Sequence, residues 1–398
     1  MSVSASEPAP GAAASGASVV IVGGGVTGLS AGWWLARSGV DVLVLDKGIV
    51  GWEASGRNGG STAHPFSPLF KEEQRLWPQL DSLLGYPTEY QAHRLRVALN
   101  EAQMAHYMRI IALAERQGST WAPLDQRALK ELVPFVTDAA IGGVLCYYGG
   151  HANPQRTVQA FAWAMQDRGG RLQQHTRVVG VERRGGKVTA VVTNRGRIGC
   201  DVLVLAAGPH IGELSALINV EVPLASARVE MIITEPVPRL KYGGVDGNGI
   251  YGRQTLRGNL AYGGGPHEWL APLGDAPPQR QSTFIMRSLA KRLAELFPGA
   301  SHARVIRSWA GIVENTPDGR PVLCRLSEPD NLVIASMSSV GFGLSPASGR
   351  AVMELARDGR CSFADLSALH LQRFQGLPPD WRTQMGWQPQ TSQELSHG

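Results

Sequence analysis

Two short apolar runs near the start of the chain flank a segment with helical periodicity. Val19–Val22 and Val42–Leu45 are rich in β-branched residues, as is typical of strands buried in a parallel sheet. Between them, Val26–Arg37 places apolar residues three or four positions apart, and Gly39 follows as a helix stop. The pattern predicts a β-α-β unit.

The later pattern alternates between helical and strand-like segments. Asn100–Gln117 and Ser282–Leu296 have the spacing of amphipathic helices. Short β-like runs broken by glycine occur at Glu221–Thr234, Gly249–Gly252 and Asn259–Gly263, and they predict an antiparallel sheet. The chain therefore combines a parallel α/β part with an α+β part.

Composition narrows the class of protein. The chain has 398 residues, more than one hydrophobic core usually holds, so we expect two lobes. The 43% hydrophobic and 18% charged content fits a packed enzyme, and the net charge of +5 is too dispersed to predict nucleic-acid binding. No run of 18 apolar residues occurs, and the first residues lack the pattern of a signal peptide.

The four cysteines are far apart in the sequence. Cys146, Cys200, Cys324 and Cys361 form no CxxC pair, so neither a metal site nor a disulfide framework is expected. Unpaired cysteines favour a reducing compartment, and we expect a cytoplasmic protein.

Three glycines form a GxGxxG turn between the first predicted strand and its helix. Gly23 allows a tight turn, Gly25 lets a pyrophosphate approach the main chain, and Gly28 lets the helix pack closely. The helix N-terminus, at Val26 and Thr27, offers free N–H groups to the anion. Asp46, at the end of the second strand, can accept hydrogen bonds from ribose hydroxyls. The alternative is a glycine-rich turn in an unrelated α/β protein.

A second glycine cluster, "GWEASGRNGGSTAH" at Gly51–His64, favours FAD over NAD. This polar loop can run beside an extended ligand and donate main-chain N–H groups to it. The predicted contacts are Ser55, Gly56, Arg57, Asn58, Gly59, Gly60 and Ser61.

From Ser18 to about Gly359, the chain resembles the FAD-dependent amine and amino-acid oxidoreductases of the D-amino-acid oxidase, glycine oxidase and sarcosine oxidase superfamily. "ASGRNGG" is similar to the flavin loop of its sarcosine oxidase β-subunit and hydrogen cyanide synthase branch. Similar segments are also found at Gly149–Leu172, Thr176–His210, Trp309–Leu323 and Gly341–Gly359.

The resemblance implies a Rossmann-like FAD-binding domain interleaved with an antiparallel-sheet substrate domain, the glutathione-reductase-type FAD fold. It places further cofactor contacts at Lys47, Val178, Ala206, Ala207, Gly208, Gly311, Gly341, Phe342, Gly343 and Leu344. Gly341 and Gly343 permit close approach to a flat ligand, and Pro346 is expected to set a turn before the last helix. Some relatives attach flavin to a cysteine near "ENTPDG"; no thiol precedes it here, so non-covalent FAD is expected.

The predicted domain boundaries follow from these segments. The FAD-binding domain is predicted at 18–66, 150–215 and 320–365, and the substrate domain at 67–149 and 220–310. A disordered lead at 1–17, a surface loop at Gly274–Gln281 and a polar tail at 379–398 complete the assignment.

The implied reaction is oxidation of a C–N bond in an amino acid or secondary amine, by hydride transfer to flavin N5, which gives an imine that hydrolyses. Alternation along Asn248–Gly264 places Tyr251 and Arg253 on one strand face, with Arg257 beyond a turn. We predict that Arg253 holds a substrate carboxylate and that Tyr251 lines the pocket; the alternative is a surface arginine. His64 is a third candidate, whereas His151 is expected to be structural.

Several functions stay open at the level of sequence. The electron acceptor can be O2, as in a self-contained oxidase, or a partner protein or quinone, as in the flavoprotein subunit of a multi-component dehydrogenase. A flavin monooxygenase is a third reading, although that class usually has Gly-Asp before the last helix, where this chain reads "SVGFGLSP". A non-catalytic FAD-binding module is a fourth. A homo- or hetero-oligomer fits each of these functions, and neither nucleic acid nor a transmembrane segment is expected.

Overall fold

The β-α-β unit predicted from the apolar pattern is present. The computed structural model describes residues 16–271 and 281–389. Strand β1 spans Gly16–Val22, helix α1 Val26–Arg37 and strand β2 Val42–Leu45. The first strand begins inside the predicted lead, because Gly16 and Ala17 pair with the strand that ends at Leu205.

Fifteen more strands follow within the described residues. They are β3 (Gln91–Ala98), β4 (Trp121–Leu124), β5 (Gly142–His151), β6 (Arg171–Gln173), β7 (Val178–Arg184), β8 (Lys187–Thr193), β9 (Gly196–Leu205), β10 (Ala225–Pro236), β11 (Val245–Gly247), β12 (Ile250–Gln254), β13 (Asn259–Gly264), β14 (Glu268–Trp269), β15 (Val305–Asn315), β16 (Val322–Arg325) and β17 (Leu332–Ser336).

The remaining α-helices of the described chain are of very different lengths. They are α2 (Ala54–Arg57), α3 (Phe70–Leu76), α4 (Leu80–Leu84), α5 (Glu101–Glu115), α6 (Gln126–Leu132), α7 (Pro154–Gln166), α8 (Ile211–Ala216), α9 (Thr283–Leu296), α10 (Gly341–Asp358) and α11 (Trp381–Gln384). The two predicted helices correspond to α5 and α9, and the predicted β-like runs correspond to β10, β12 and β13.

The first sheet has a parallel centre. Its strands run in the order β16-β17-β9-β1-β2-β6, with β8 paired to β9 and β7 paired to β8. β1 is parallel to both β2 and β9, and β17 is parallel to β9. Because parallel strands end at the same edge of a sheet, the glycine turn after β1 lies beside the carboxyl ends of β2 and β9.

The second sheet has nine strands in the order β14-β10-β13-β12-β11-β3-β5-β4, with β15 paired to β10. Most of its pairs are antiparallel, as predicted, although β11 and β3 are parallel. Helix α9 packs on one face through a core that includes Leu95, Val97 and Ile250. The opposite face therefore carries the alternate residues of these strands.

Helices cover the first sheet, and they bury their own aromatic side chains between them. Helix α1 packs against α7 and α10, and the core between them contains Trp33 and Phe161, both without exposed area. Asn153 caps α7 by accepting a hydrogen bond from the Arg156 N–H, and Pro154 fits the first helical position, where no N–H is needed.

Two predictions need correction near the C-terminus. The turn predicted at Pro346 is wrong, because α10 already begins at Gly341 and includes Pro346 in its first two turns. The polar tail is wrong at Trp381, which is buried with Ala227 and Trp269, and Trp387 stacks on Trp269 with ring centroids 4.3 Å apart. Aromatic packing against the second sheet holds this segment, a long-range contact that local polarity did not reveal.

Other predictions fall outside the described residues. Residues 1–15 of the lead, 272–280 of the surface loop and 390–398 of the tail belong to this group. Within 16–271 and 281–389, none of the helices has the length and apolarity needed to cross a bilayer.

Candidate active site

The turn after β1 has no room for side chains. Gly23 has φ +113°, and a Cβ placed there would overlap the carbonyl oxygen of Ala206. A Cβ on Gly28 would overlap the Gly23 carbonyl oxygen, so the helix can approach the strand only with glycine there. The N-terminus of α1 is thus exposed at close range to any ligand at this turn, which favours an anion.

Asp46 connects the turn to the end of β2. Its carboxylate accepts hydrogen bonds from the Gly24 N–H at 2.8 Å and the Gly48 N–H at 2.7 Å. Each oxygen keeps acceptor capacity for a further donor. Asp46 therefore braces the glycine turn, and the predicted contact to ribose hydroxyls stays compatible with this position.

A cleft of about 1010 Å³, counted to its open mouth, lies along the carboxyl ends of β1, β2 and β9. Eight of the predicted cofactor residues line it: Gly23, Gly25, Asp46, Lys47, Val178, Ala206, Ala207 and Gly208. A cleft that joins a glycine turn to an acidic strand end has the donors and acceptors that a dinucleotide requires.

Three polar side chains on the wall of the same cleft contact one another in the order Lys47, His210, Glu213. The sequence analysis selected Lys47 and missed the other two. The Lys47 Nζ lies 2.6 Å from His210 Nε2, and His210 Nδ1 lies 3.0 Å from a Glu213 carboxylate oxygen. A protonated lysine can only donate, so the proton of a neutral His210 belongs on Nδ1 and points to Glu213. Because 163 residues separate Lys47 from His210, no local spacing could indicate this contact.

Glu314, also missed, is a buried acid on the wall of the cleft. One carboxylate oxygen accepts a hydrogen bond from the Met337 N–H at 3.0 Å. The other lies 3.5 Å from the position that a Cβ on Gly208 would take. Burial raises the pKa of this carboxyl above its usual range. The only sequence signal for Glu314 was its place in "ENTPDG", and that motif does not indicate whether the side chain faces the cleft.

The predicted polar loop is partly helical. Residues 54–57 form the short helix α2, and the Ser55 hydroxyl accepts a hydrogen bond from the Val26 N–H at 3.0 Å. A Cβ on Gly56 would overlap the Gly51 carbonyl oxygen. Packing against α7 and β15, together with the Ser55 hydrogen bond to α1, thus converts a segment that looked like an open loop into a tight turn of helix.

Arg57 braces this segment against the second sheet. Its guanidinium donates to the Ala310 carbonyl oxygen at 2.8 Å and lies over the Trp52 ring. The Trp309 indole N–H donates to the Arg57 carbonyl oxygen at 2.8 Å. Gly311 contacts the same side chain, since its Cβ position is 3.5 Å from Arg57 Cβ.

Strand β12 meets the flavin loop, which we define as Asn58–Ser61. Arg253 donates a hydrogen bond to the Gly59 carbonyl oxygen at 3.1 Å, and the Tyr251 ring lies 3.2 Å from the Cβ position of Gly59. The Asn58 side chain accepts from the Gly60 N–H at 2.8 Å. The structure therefore brings both predicted β12 side chains to this loop; their roles toward a substrate stay predictions.

His64 is held by an acid that the sequence analysis did not select. His64 Nδ1 is 2.8 Å from one oxygen of the Glu73 carboxylate, and the other oxygen accepts the His64 main-chain N–H at 3.1 Å. Glu73 has no exposed area. A Cβ on Gly343 would overlap the His64 ring, so α10 and the histidine are in close contact.

The start of α10 joins the same region. The Gly343 carbonyl oxygen accepts from the Trp77 indole N–H at 2.7 Å, and Phe342 packs against Trp77. Gly341 lies against Met337, whereas Leu344 is fully buried in the core. The early N–H groups of α10 lack intrahelical partners, so this end of the helix favours negative charge.

His151 ends β5 beside these groups. Ser61 forms an isolated bridge to it, and neither ring nitrogen has a hydrogen-bond partner within the described part of the chain. Burial, together with the charges of Arg94 and Arg253, lowers the pKa of His151 well below its usual value. His151 is therefore a neutral imidazole, and its structural role stays a prediction.

The residues present fit FAD. Side chains are sterically excluded at Gly23 and Gly28, Asp46 supplies acceptors, and the cleft joins the two at the carboxyl ends of β1 and β2.

Comparisons with known proteins agree with this fit. The family described as DAO, FAD dependent oxidoreductase, matches residues 18–355. The chain is similar to sarcosine oxidase subunit beta of Rhodobacter capsulatus, with 28% identity over 88% of this chain and 87% of that protein. It is also similar to glycine oxidase of Pseudomonas aeruginosa, with 28% identity over 85% of this chain and 94% of that protein.

Among solved structures, L-proline dehydrogenase from P. horikoshii has the same fold. The TM-score is 0.81 at 23% identity, and the match covers 90% of this chain and 98% of that one.

Proposed function

This chain belongs to the family of FAD-dependent oxidoreductases, and we propose on that basis that it oxidises a carbon–nitrogen bond of an amino acid or a secondary amine. FAD, when bound, would accept a hydride, and with it both electrons, from the carbon of the C–N bond; the imine that remains is hydrolysed by water. The names of the two similar oxidases support an amine or amino acid as the substrate.

The contact of Arg253 with the flavin loop carries this proposal. Arg253 donates to the Gly59 carbonyl oxygen, and within the described chain no carboxylate lies within 4.0 Å of its guanidinium. Burial lowers the pKa of Arg253 to about 10, so the side chain remains a cation at neutral pH. Glu89 acts on Arg253 only at longer range, and its charge partly offsets the effect of burial on the pKa. A partly buried guanidinium without a carboxylate in ion-pair contact is suited to a substrate carboxylate.

Tyr251 and His64 complete the proposed pocket. Tyr251 keeps 40% of its area exposed beside the flavin loop, so it can form a wall for the substrate. Glu73 fixes the ring orientation of His64. We assign no general base, because hydride transfer from a neutral amine needs substrate orientation and a dry pocket more than proton abstraction.

The test is anaerobic mixing of the purified yellow protein with a panel of amino acids and N-methyl amines. We expect one class to bleach the flavin absorbance near ~450 nm as the cofactor takes an electron pair. A protein that holds FAD and is bleached by dithionite but by no amine of the panel would instead be a binding module or act on another substrate class.

A second candidate concerns the electron acceptor. The similar Rhodobacter protein is named as a subunit, and the match covers nearly all of it, which favours a flavoprotein subunit that passes electrons to a partner or a quinone. Reoxidation of the amine-reduced protein separates the two: oxidation by dissolved O2 within one turnover supports an oxidase. Oxidation only by a quinone or an added dye supports a dehydrogenase.

We also propose the domain boundaries and the cofactor contacts that the sequence predicts. We propose a cytoplasmic location as well, and the free thiols of Cys146, Cys200, Cys324 and Cys361 support it.

A further inference from the structure

A second cleft lies between the segment that follows the flavin loop and the turn that joins β15 to β16. Its volume is about 740 Å³, counted to its open mouth, which is within the range of small-molecule sites. None of its lining residues belongs to the wall of the cofactor cleft. Eight residues line it: Phe66, Ser67, Pro68, Gln117, Arg320, Pro321, Ala368 and Leu369.

The walls of this second cleft suit a flat, largely apolar ligand. Five of the eight residues are apolar, and the largest of them, Phe66, keeps 49% of its area exposed. Pro68 and Pro321 have a fixed φ, so the walls are rigid without a ligand. A planar ligand that covers the Phe66 ring would remove apolar surface from water and gain ring-to-ring packing.

The polar residues of the second cleft present hydrogen-bond donors. Within the described chain, the Arg320 guanidinium has no ion-pair or hydrogen-bond partner, and the neighbouring acid, Asp318, is paired with Arg373 at 2.8 Å. The buried Ser67 hydroxyl oxygen accepts from the Leu69 N–H at 3.2 Å, and no acceptor for its own proton is found within 16–271 and 281–389. Donors set among apolar walls select a ring that carries carbonyl oxygens.

Packed side chains connect the second cleft to the place expected for the flavin ring. The Phe66 ring packs edge-to-face on the His64 ring, and the two ring centroids are 5.9 Å apart. A Cβ on Gly343 would overlap the same His64 ring. One side chain, that of His64, therefore lies between Phe66 and the first turn of α10.

The turn that carries Arg320 is fixed to the same end of α10. The Thr316 hydroxyl donates to the Arg320 carbonyl oxygen at 2.7 Å, and the Thr316 N–H donates to the Ser338 hydroxyl at 3.1 Å. Ser338 lies three residues before the start of α10 at Gly341. Both walls of the second cleft are thus attached to the helix end at which the flavin ring is expected.

We propose that the second cleft binds a quinone, which takes the two electrons that amine oxidation leaves on the flavin. The inference rests on the proposed function, because amine oxidation supplies those electrons. The quinone gains them with two protons, one from the reduced cofactor and one from water at the open mouth, and it leaves as a hydroquinone. Arg320 and Ser67 donate to its carbonyl oxygens, and Phe66 packs against its ring.

The experiment measures reoxidation of the holoenzyme by menadione, a naphthoquinone. The flavin is reduced without air by one equivalent of dithionite, menadione is added at increasing concentration, and the return of absorbance near ~450 nm is followed. A quinone that binds before it reacts gives a rate that saturates with menadione concentration. A rate that stays proportional to concentration would overturn the site, since collision needs no cleft.

Variants assign the saturable reaction to this cleft. Arg320→Met should raise the half-saturating menadione concentration about 10-fold or more, because it removes the charged donor. Phe66→Ala should raise it several-fold, because it removes the ring. Both side chains are exposed, so neither change should reduce the yield of folded protein. Arg195→Met, on the exposed turn between β8 and β9, is the matched control and should leave the value unchanged.

Dissolved O2 gives an internal reference for these variants. O2 is small and needs no built site, so Arg320→Met and Phe66→Ala should be reoxidised by O2 at the wild-type rate. Equal slowing with O2 and with menadione would mean that the flavin site itself is disturbed, and it would overturn the inference. Menadione values that match the wild type in both variants would do the same.

The outcomes also separate this inference from the proposed function. Since dithionite supplies the electrons, the menadione series decides the second cleft even if no amine bleaches the flavin, a result by which the proposed function alone fails. If an amine does bleach the flavin but the menadione reaction does not depend on Arg320 or Phe66, the quinone site alone is rejected.

Discussion

At the scale of single residues, the site depends on charged groups buried beside the cofactor cleft. Burial lowers the pKa of Arg253 and raises the pKa of Glu314. The two shifts have opposite signs because arginine is charged when protonated and glutamate when deprotonated, and burial disfavours the charged form of each. The arginine stays a cation at neutral pH because its usual pKa is so high, whereas the carboxyl moves toward its neutral form.

Replacement of Arg253 by methionine tests the carboxylate clamp. Charge-assisted hydrogen bonds contribute about 1.5 to 3 kcal/mol, so Arg253→Met should raise the half-saturating concentration of a carboxylate substrate by about 10- to 150-fold. Flavin reduction by an N-methyl amine without a carboxylate is the control and should change little. Equal weakening of both substrates would show that Arg253 acts only by holding Gly59.

Glu314 gives a prediction for stability against pH. A carboxyl whose folded-state pKa is raised binds its proton more tightly in the native protein, so its contribution to stability falls as pH rises through that pKa. Glu314→Gln keeps an acceptor for the Met337 N–H without the charge. Its free energy of unfolding in urea should exceed that of the wild type near about pH 8, and the difference should shrink toward about pH 4.

A difference between Glu314→Gln and wild type that does not vary with pH would contradict this account. It would mean that the carboxyl titrates alike in the folded and unfolded states.

At the scale of elements, the glycine turn between β1 and α1 controls cofactor retention. A Cβ on Gly28 would overlap the Gly23 carbonyl oxygen. Gly28→Ala should therefore displace α1 from β1 and give protein that is purified with little or no FAD. The ratio of absorbance at ~450 nm to that at ~280 nm measures this directly.

Gly212→Ala is the matched control for that change. Gly212 lies in α8, where an added Cβ would be 3.6 Å from the Val222 carbonyl oxygen, an ordinary contact. This variant should retain FAD as the wild type does. FAD retained equally by both variants would show that α1 can shift without opening the pyrophosphate site.

At the scale of the whole molecule, the C-terminal segment returns to the second sheet. Trp381 keeps 7% of its area exposed and packs with Ala225 and Trp269, while Trp387 stacks on Trp269. Arg373 also pairs with Asp318 at 2.8 Å, a residue in the segment before β16. Residues after α10 therefore link the ends of both sheets.

Trp381→Ala tests how much this link stabilises the fold. Removal of a buried tryptophan costs about 3 to 5 kcal/mol in free energy of unfolding. Met385→Ala, whose side chain is 40% exposed, is the control and should stay within about 0.5 kcal/mol of wild type. Urea unfolding measures both; a loss below about 1 kcal/mol for Trp381→Ala would mean that the segment is only loosely attached.

By itself the sequence determined the local part of this protein. The β1-α1-β2 unit, its glycine turn, and the helices α5 and α9 follow from residue spacing, because periodicity and backbone freedom act over a few residues. Strand alternation also acts between neighbouring residues, so the sequence alone could place Tyr251 and Arg253 on one face of β12.

Only the tertiary structure decided which distant groups meet. The contacts of Lys47 with His210, of Arg253 with Gly59, and of Glu314 with Met337 depend on strand order and register. Register is set by the packing of both sheets against their helices, and a shift of one residue would turn Arg253 on β12 or Glu314 on β15 to the other face of its sheet. For the same reason local polarity predicted a tail at Trp381, whereas the structure buries that ring.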